Sequence, residues 1–455
     1  MLQTLAQLTA RFEQLGATTV FCKPLAENDN SKNQVYLGGS LDALQMFPFA
    51  QSDALTGAQA DSKTNTFKVK LNFFWIGTQS IEAATGAQLI VYPQYPEVRL
   101  SGFLRGCKTA PNELMQPPTK GVRKFNNASD GRVLFFGITQ DGRTLAYLAA
   151  ADSAVANEFF SLHTQTSAAT ASVFYKLSLV EQSTRTQLLE ALCKIHFSGA
   201  HASMRLDKAG KAMPYLASNG GGYTLEALLG IIPNGRSEPD YKGWEIKGFS
   251  KNILTLMTPE PNGGEYFQNG VRWFVNTYGH KQSDSTNYFT GMHRCSSDNS
   301  SRNATTGLTL ALRGFDAVKN KITDVNGAVE LLTDSGTCAA AWSFGGLMSS
   351  WNKKHAQAAY VKYSATQRNL APYYQYESPI WLGEGTDFTK YLQTLSDGLI
   401  GFDPASKVTT EADGTSRVKA RSQFRIAHRY LHKLYAQFAE VPLTQSFLRP
   451  STNSH

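Results

Sequence analysis

The sequence predicts two domains: a β-rich barrel or sandwich with a few helices, followed by an α/β domain. Three observations carry this prediction. A chain of 455 residues exceeds what one hydrophobic core ordinarily serves. Runs rich in β-branched and aromatic residues fill the region from about residue 20 to about residue 150, with turn-forming clusters between them. Helical periodicity then sets in at Ser183 and alternates with strand patterns to the end of the chain.

The opening stretch, MLQTLAQLTARFEQLG, reads as an amphipathic helix carrying both signs of charge. It lacks the basic-then-apolar order of a signal peptide, and no apolar run is long enough to span a bilayer. Cytoplasmic (bacterial) residence and no membrane partner are therefore expected. Strand-like segments follow at Thr64–Gly77, Ala87–Tyr95 and Gly131–Ala149, with a helix at Leu41–Phe49. Inside the last of these strand segments, Gln140-Asp141-Gly142-Arg143 has the chemistry of a hairpin turn. The stretch His163–Phe174, low in charge and rich in Ser, Thr and Ala, marks the edge of the first domain. The expected division is 1–175, a linker at 176–182, and 183–455 with a flexible tail after about residue 440.

Five cysteines, far apart and with no CxxC pair, suggest neither a disulfide framework nor a zinc site. The net charge of +8 is compatible with a polyanionic partner without requiring one.

Chemistry concentrates in the second half. GGGYTLEALLGI (Gly220–Ile231) reads as a glycine-rich loop, Thr224 as N-cap, and a helix with Glu226 in its first turn. Alone, Glu226 fits a carboxylate favoured by the helix dipole. EPDYKGWEIKGF (Glu238–Phe249) places Asp240 before a tight turn at Lys242-Gly243 and a strand beyond it. Strand alternation puts Glu245 and Lys247 on one face and Ile246 on the other. Two carboxylates and an ammonium meeting at one sheet end suit Mg²⁺, which takes few protein ligands and retains water. Such an ion polarises a phosphodiester, and Lys247 would offset charge developing in the transition state. The bare pattern is short and also fits a surface hairpin with a Glu/Lys pair.

Context narrows that choice. The segments TLEALLGI, PDYKGWEIK, NILTLMT (Asn252–Thr258), NTYGHK (Asn276–Lys281), AWSFGGL (Ala341–Leu347) and QFRI (Gln423–Ile426) follow in this order. In them, roughly Ser183 to Tyr435 resembles the MvaI/BcnI family of restriction endonucleases, MutH-like members of the PD-(D/E)XK superfamily. The resemblance implies a restriction-endonuclease-like α/β fold, with Glu226, Asp240, Glu245 and Lys247 as catalytic residues and Asp240 and Glu245 as metal ligands. It also implies base or phosphate contacts from Asp403, Lys419, Arg421 and Arg425. An arginine that the family pattern has two residues after Asp403 is Ala405 here, and the family's His-Gly before QFRI is replaced by KARS (Lys419–Ser422). Lys419 and Arg421 are alternative substitutes for that histidine. The basic run Arg417–Lys433 holds six Lys/Arg and no acid, and its second part, with Arg425, His428, Arg429 and His432 on one face, reads as helical. His280, Lys281 and His293 fall in expected loops and are candidate groove or phosphate contacts.

The first half, through FCKPLAENDNSKNQVYLGGSLDALQMFP (Phe21–Pro48), resembles the EcoRII-type N-terminal effector domain, a plant B-three-like DNA-binding pseudobarrel with two arms. That likeness places Lys23, Lys32, Asn33 and Gln34 on or near the first arm, and Glu97, Arg99 and Arg105 on the second. Gln and Asn can read adenine, Arg guanine, and Glu can accept from cytosine. KGVRKF (Lys120–Phe125) is a further phosphate-contact candidate. Together the resemblances imply a monomeric, Mg²⁺-dependent Type IIE restriction endonuclease that binds double-stranded DNA at two sites, one per domain, with CCWGG (W = A/T) as target. A cognate DNA methyltransferase is implied in the host. A strand-nicking repair nuclease and a DNA-binding regulator with an inactive nuclease core are the alternatives.

Overall fold

The computed structural model describes residues 2–26, 34–39, 41–49, 66–93, 95, 97–116, 129–163, 174–177, 184–233, 240–295, 302–355 and 357–448. The chain divides into two compact units, Met1–Glu181 and Gln182–His455. Among the described residues no helix is long and apolar enough to cross a membrane.

The first unit is built on two sheets. One has six strands in the order Tyr175–Leu177, Ala17–Ala26, Ser129–Thr139, Thr144–Ala149, Phe73–Ile76 and Ile81–Ala83. The other has four, in the order Gln34–Gly38, Glu97–Ser101, Gln88–Tyr92 and Phe67–Lys70. Among the described residues both sheets have open strand orders, so the expected barrel takes the form of two open sheets rather than a closed one. The helix Leu5–Gln14 is capped by Thr4, whose hydroxyl accepts from the Gln7 amide. Its Leu5, Leu8 and Phe12 join Val20, Phe135 and Phe159 in the core. The hairpin expected at Gln140–Arg143 joins Ser129–Thr139 to Thr144–Ala149, with Gly142 at φ 82° in its turn. The expected helix at Leu41–Phe49 is a single 3₁₀ segment, Leu41–Met46.

Among the described residues of this unit, one ionic contact is fully internal. Asp130 and Arg132 alternate onto one face of their strand, both buried, with Arg132 Nε 3.1 Å from each Asp130 carboxylate oxygen. Arg132 Nη1 also donates to the Leu114 carbonyl at 2.8 Å, tying the strand to the turn-rich segment after Ala110.

The second unit assembles around a sheet ordered His201–Ala202, Ala371–Tyr376, Gln357–Arg368, Ile380–Glu384 and Gln437–Val441. The strand Glu245–Phe249 pairs with Gln357–Arg368 in parallel. Helix Thr184–Phe197 covers this sheet, packing Leu188, Leu192 and Ile195 against Trp244, Ile246 and Leu382. A second sheet runs Ile253–Met257, Phe424–Ala427, Ile400–Phe402 and His293–Arg294. A third, His280–Ser283, Thr286–Thr290, Ala405–Thr410 and Ser416–Lys419, carries much of the basic sequence. Beyond residue 440, where a flexible tail is expected, Leu443 is buried in the helix-covered core and a 3₁₀ segment spans Gln445–Leu448.

Two local expectations are corrected. Thr224 is not an N-cap: the helix spans Gly220–Leu228, starting four residues earlier, and Glu226 lies near its end rather than in its first turn. Thr224 is buried and exchanges hydrogen bonds with the Met204 backbone. Arg425 is not helical either. Phe424–Ala427 is a strand held between Ile253–Met257 and Ile400–Phe402, and only His428–Leu434 turns into a 3₁₀ helix.

Removing one member of the buried Asp130–Arg132 pair leaves an uncompensated charge, so R132A is expected to destabilise the protein by about 3–5 kcal/mol. Replacing both with apolar residues, as in D130L/R132M, should recover most of that loss. Denaturant midpoints of the three chains read the difference.

Candidate active site

A two-residue turn builds the centre of the site. Tyr241 and Trp244 exchange backbone hydrogen bonds of 2.9 and 2.8 Å, and the two residues between them, Lys242 and Gly243, take φ of 49° and 90°. Both signs are those of a type I′ turn, which suits glycine in the second place. The turn brings Asp240 back over the start of the following strand, where its Oδ2 accepts from the Ile246 amide at 3.0 Å. Along that strand Trp244 and Ile246 face the apolar core, while Glu245 and Lys247 face the other way. Lys247 Nζ lies 2.6 Å from Glu245 Oε1.

The parallel register then fixes what stands beside these groups: Glu245 is paired with Ala358 and Lys247 with Tyr360. Tyr360 donates to or accepts from Tyr435 at 2.8 Å, both hydroxyls being buried. Burial holds both phenols protonated far above the ordinary tyrosine range; Tyr360 adds to this for Tyr435, and the charge of Glu245 adds a smaller push to each. These two tyrosines are absent from the sequence-derived site. They lie 75 residues apart and belong to no motif, so only the tertiary fold brings them together.

Asp240 is the strained member of the group. Burial, and next the neighbouring charge of Glu245, push its carboxyl up to about 6, against the pull of the Ile246 amide and of Lys247. For Lys247, burial opposes the ammonium form. The charge and hydrogen bond of Glu245, with the charges of Asp240 and Glu226, outweigh it and hold the amine above its ordinary value. Glu226 therefore acts on the same centre from its helix. That helix approaches closely because Gly221 has no side chain: a Cβ there would stand 2.2 Å from the Tyr363 ring. Tyr376 also donates to the Gly221 carbonyl at 2.7 Å.

The donor set suits a hard cation. Asp240 and Glu245 are hydrogen-bond neighbours in a buried setting, and their repulsion adds to the burial that raises the Asp240 carboxyl. Two carboxylates brought side by side are the kind of set Mg²⁺ uses. Among the described residues no group of three or more His, Cys, Asp or Glu stands close enough to hold a metal ion.

The other site residues from the sequence fall into separate places. Asp403 and Arg425 form an ion pair between adjacent strands, and Arg425 also reaches the Ile253 carbonyl at 3.4 Å. Gln423 links them to their surroundings, receiving from Thr255 at 3.2 Å and from Arg421 at 3.4 Å and donating to the Asp403 carbonyl at 3.1 Å. Gln423 and Thr255 lie in QFRI and NILTLMT, where no residue-type signal sets either apart as a site residue. Lys419 stands exposed on its strand, opposite Lys407. His280 opposes Tyr288, and Lys281 is engaged with Asp284 at 2.9 Å. His293 is buried, stacked on Phe289 and bonded to Thr306, and burial holds it down to about 4.

In the first unit, Gln34, Glu97 and Arg99 form one polar cluster. Arg99 pairs with Glu97 at 2.6 Å and with the Gln34 amide oxygen at 3.0 Å, and it lies over the Tyr92 ring. Lys23 is buried with its ammonium 5.6 Å from the Tyr36 ring centre, and burial lowers it to about 8. Arg105 stands apart from this cluster, its Cβ against Gly86. Lys32, Asn33, Pro239 and the KGVRKF segment lie outside the described residues.

The α/β unit thus brings a pair of carboxylates and a lysine together at one sheet end. The profile of the MvaI/BcnI restriction endonuclease family matches residues 189–435, more than half of the chain, and the protein belongs to that family. Among solved structures it is similar to restriction endonuclease MvaI in complex with its cognate DNA substrate, at 19% identity and a TM-score of 0.42, covering 57% of this chain and 99% of that one. MvaI without DNA is similar at 18% identity and a TM-score of 0.32, covering 58% of this chain and 99% of the other. No curated protein matches the chain.

The raised Asp240 carboxyl has a definite stability signature. The folded state holds this proton more tightly than the unfolded state does, whose carboxyl titrates near 3.9. The group's stabilising contribution is therefore complete below about pH 4 and is lost as pH rises through about 6. His293 has the opposite sign, contributing above about 6.5 and losing that as pH falls through about 4. D240N isolates the first effect. With EDTA present it should melt above wild type at pH 7, and the gap should close towards pH 4. A gap independent of pH would mean that Asp240 is ionised throughout.

Proposed function

We propose that the protein is a Mg²⁺-dependent Type IIE restriction endonuclease that hydrolyses double-stranded DNA at CCWGG, acting as a monomer, with its N-terminal unit binding a second copy of the site as effector. The observation that carries the reading is the convergence of Asp240, Glu245 and Lys247 at one sheet end of a chain that belongs to the MvaI/BcnI family.

Asp240 and Glu245 would hold the divalent ion. When bound, the ion supplies positive charge at the scissile phosphate and favours ionisation of the attacking water. The chain's own groups supply the rest. Lys247, protonated at neutral pH, presents a fixed ammonium where negative charge grows on the phosphate as water adds to phosphorus and one P–O ester bond breaks. Because it holds its proton, Lys247 serves as an electrostatic partner rather than as the base. Glu226 keeps that ammonium charged from the helix side. Tyr360, in register with Lys247, and its hydrogen-bond partner Tyr435 flank the strand as buried phenols that stay protonated. Hydrolysis needs no covalent intermediate with the protein.

Recognition in this reading falls to the Asp403–Arg425 pair, to Arg421 and to Lys419, with Arg425 oriented by Asp403 for a guanine edge. His280 and Lys281 fit phosphate contacts better than base contacts, since Lys281 is exposed beside a strand end. In the N-terminal unit the Gln34–Arg99–Glu97 cluster presents acceptor and donor groups suited to base edges. Linking two DNA-binding modules raises the local concentration of the second site and favours looping.

Two experiments decide the reading. D240A or K247A should lose cleavage of a sequenced plasmid with Mg²⁺, by roughly three orders of magnitude or more, while still retarding the DNA; full activity in either removes the active-site assignment. Run-off mapping of the wild-type products gives the target. Plasmids with one mapped site should be cut slowly and two-site plasmids quickly, with added site-bearing oligonucleotide rescuing the former. Equal rates would leave the N-terminal unit without an effector role.

A further inference from the structure

The strand that fixes the register of the candidate active site does not stop at the sheet. Gln357–Arg368 runs twelve residues, and its inner part is buried beside Glu245–Phe249. From Ser364 onward every residue of it is exposed, paired only with the returning strand Ala371–Tyr376. Arg368 and Ala371 close the resulting hairpin, leaving Asn369 and Leu370 at its tip. The base of the hairpin is fixed. His201–Ala202 adds a strand beside Tyr373 and Tyr374, and the Ser203 amide donates to the Pro372 carbonyl at 2.8 Å.

The tip is anomalous on two counts. Asn369 and Leu370 have φ of 49° and 64°, the type I′ geometry that favours Asn-Gly. Asparagine suits its place, but leucine in the second central position carries a Cβ into a left-handed conformation that such residues rarely adopt. Leu370 is also 94% exposed, so no packing within the described residues compensates that strain. Behind it Arg368 lies over the Tyr373 ring with 5.0 Å between guanidinium carbon and ring centre. Between Val361 and Tyr376 the hairpin bears Lys362 and Arg368 and no acidic residue.

We infer that this hairpin is a DNA arm: it docks on the duplex flanking the cut site, with Leu370 as an apolar contact in a groove and Arg368 on a phosphate. The inference rests on the nuclease reading above. Position supports it, because Tyr360 is in register with Lys247 and Arg368 lies eight residues further along the same strand. That is at most about 27 Å of strand, equivalent to about eight base pairs of duplex. Chemistry supports it as well. Proteins that grip a groove commonly set an apolar side chain against the base steps, while a neighbouring guanidinium anchors the backbone. A rigid arm that presents a strained apolar tip beside an unopposed arginine matches that pairing.

The test compares duplexes of about 12 and about 40 base pairs, each centred on the sequence at which the wild-type protein cuts plasmid DNA, so that only the longer reaches the arm. Wild type, L370G and R368A are assayed with Mg²⁺ as full-length chains. Wild type should cut the long duplex with a kcat/KM about tenfold above that for the short one, and L370G should lose that advantage while cutting the short duplex normally. L370G should melt at or above the wild-type temperature, since glycine relieves the positive φ, which separates lost contact from lost folding. R368A should lower the slope of log affinity against log salt for the long duplex by about one. Wild-type rates independent of flank length, or variants that keep the wild-type preference, would overturn the arm. Absence of wild-type cleavage of plasmid DNA, from which the duplex sequence is taken, would instead overturn the nuclease reading beneath it.

Discussion

The hydrogen bond from the Ile246 amide to Asp240 is the constraint on which the second unit's chemistry depends. It closes a path of only six residues and holds the aspartate against the second residue of the strand that follows. The turn at Lys242-Gly243 makes that closure feasible, and the buried Trp244 anchors it from below. Once the strand enters the sheet in register with Ala358–Lys362, the places of Glu245, Lys247 and Tyr360 are no longer independent. A shift of one residue would send Glu245 and Lys247 into the core and Ile246 out of it. The apolar cluster around Trp244, Ile246 and Leu382 therefore positions a polar site it does not touch.

This also explains which parts of the site were legible in the sequence. The turn and the alternation of Glu245, Ile246 and Lys247 are local, and both follow from residue type over a few positions. The helix carrying Glu226 was misplaced because three successive glycines read as a loop. Here they are helical, since close packing against Tyr363 and Tyr376 tolerates no side chain at Gly221. Tertiary contact overrode intrinsic preference. The spacing of basic residues after Arg425 reads as helical. Four residues are too few for periodicity to separate a strand from a helix, and pairing on both edges decided for the strand. In the first unit the hairpin at Gly142 was visible in its turn residues, whereas whether the sheets close depends on long-range pairing that no local pattern encodes.

The two units handle buried charge in different ways. Asp130 and Arg132 neutralise one another within a strand and leave no net charge behind. That is a structural solution, complete in itself. Around Lys247 the count does not balance: one ammonium faces Glu245, Asp240 and Glu226 together. The excess is negative, and it sits where water is partly excluded.

A protein can meet such an excess by taking up a proton or by admitting a cation. The chain by itself leans to the first course, since burial, and next the charge of Glu245, displace the Asp240 carboxyl upwards. The proton is a poor remedy near neutral pH, because a carboxyl at about 6 is mostly ionised there. Lowering the burial of Asp240 would ease the conflict, yet the bond to Ile246 that shapes the site is also what keeps Asp240 inward. The geometry thus sustains a local electrostatic debt that the fold could have avoided by placing a neutral residue at either carboxylate. Retaining both carboxylates beside a single lysine makes sense for a centre that works with a positive ion, and it accounts for the strain by the same contacts that define the site.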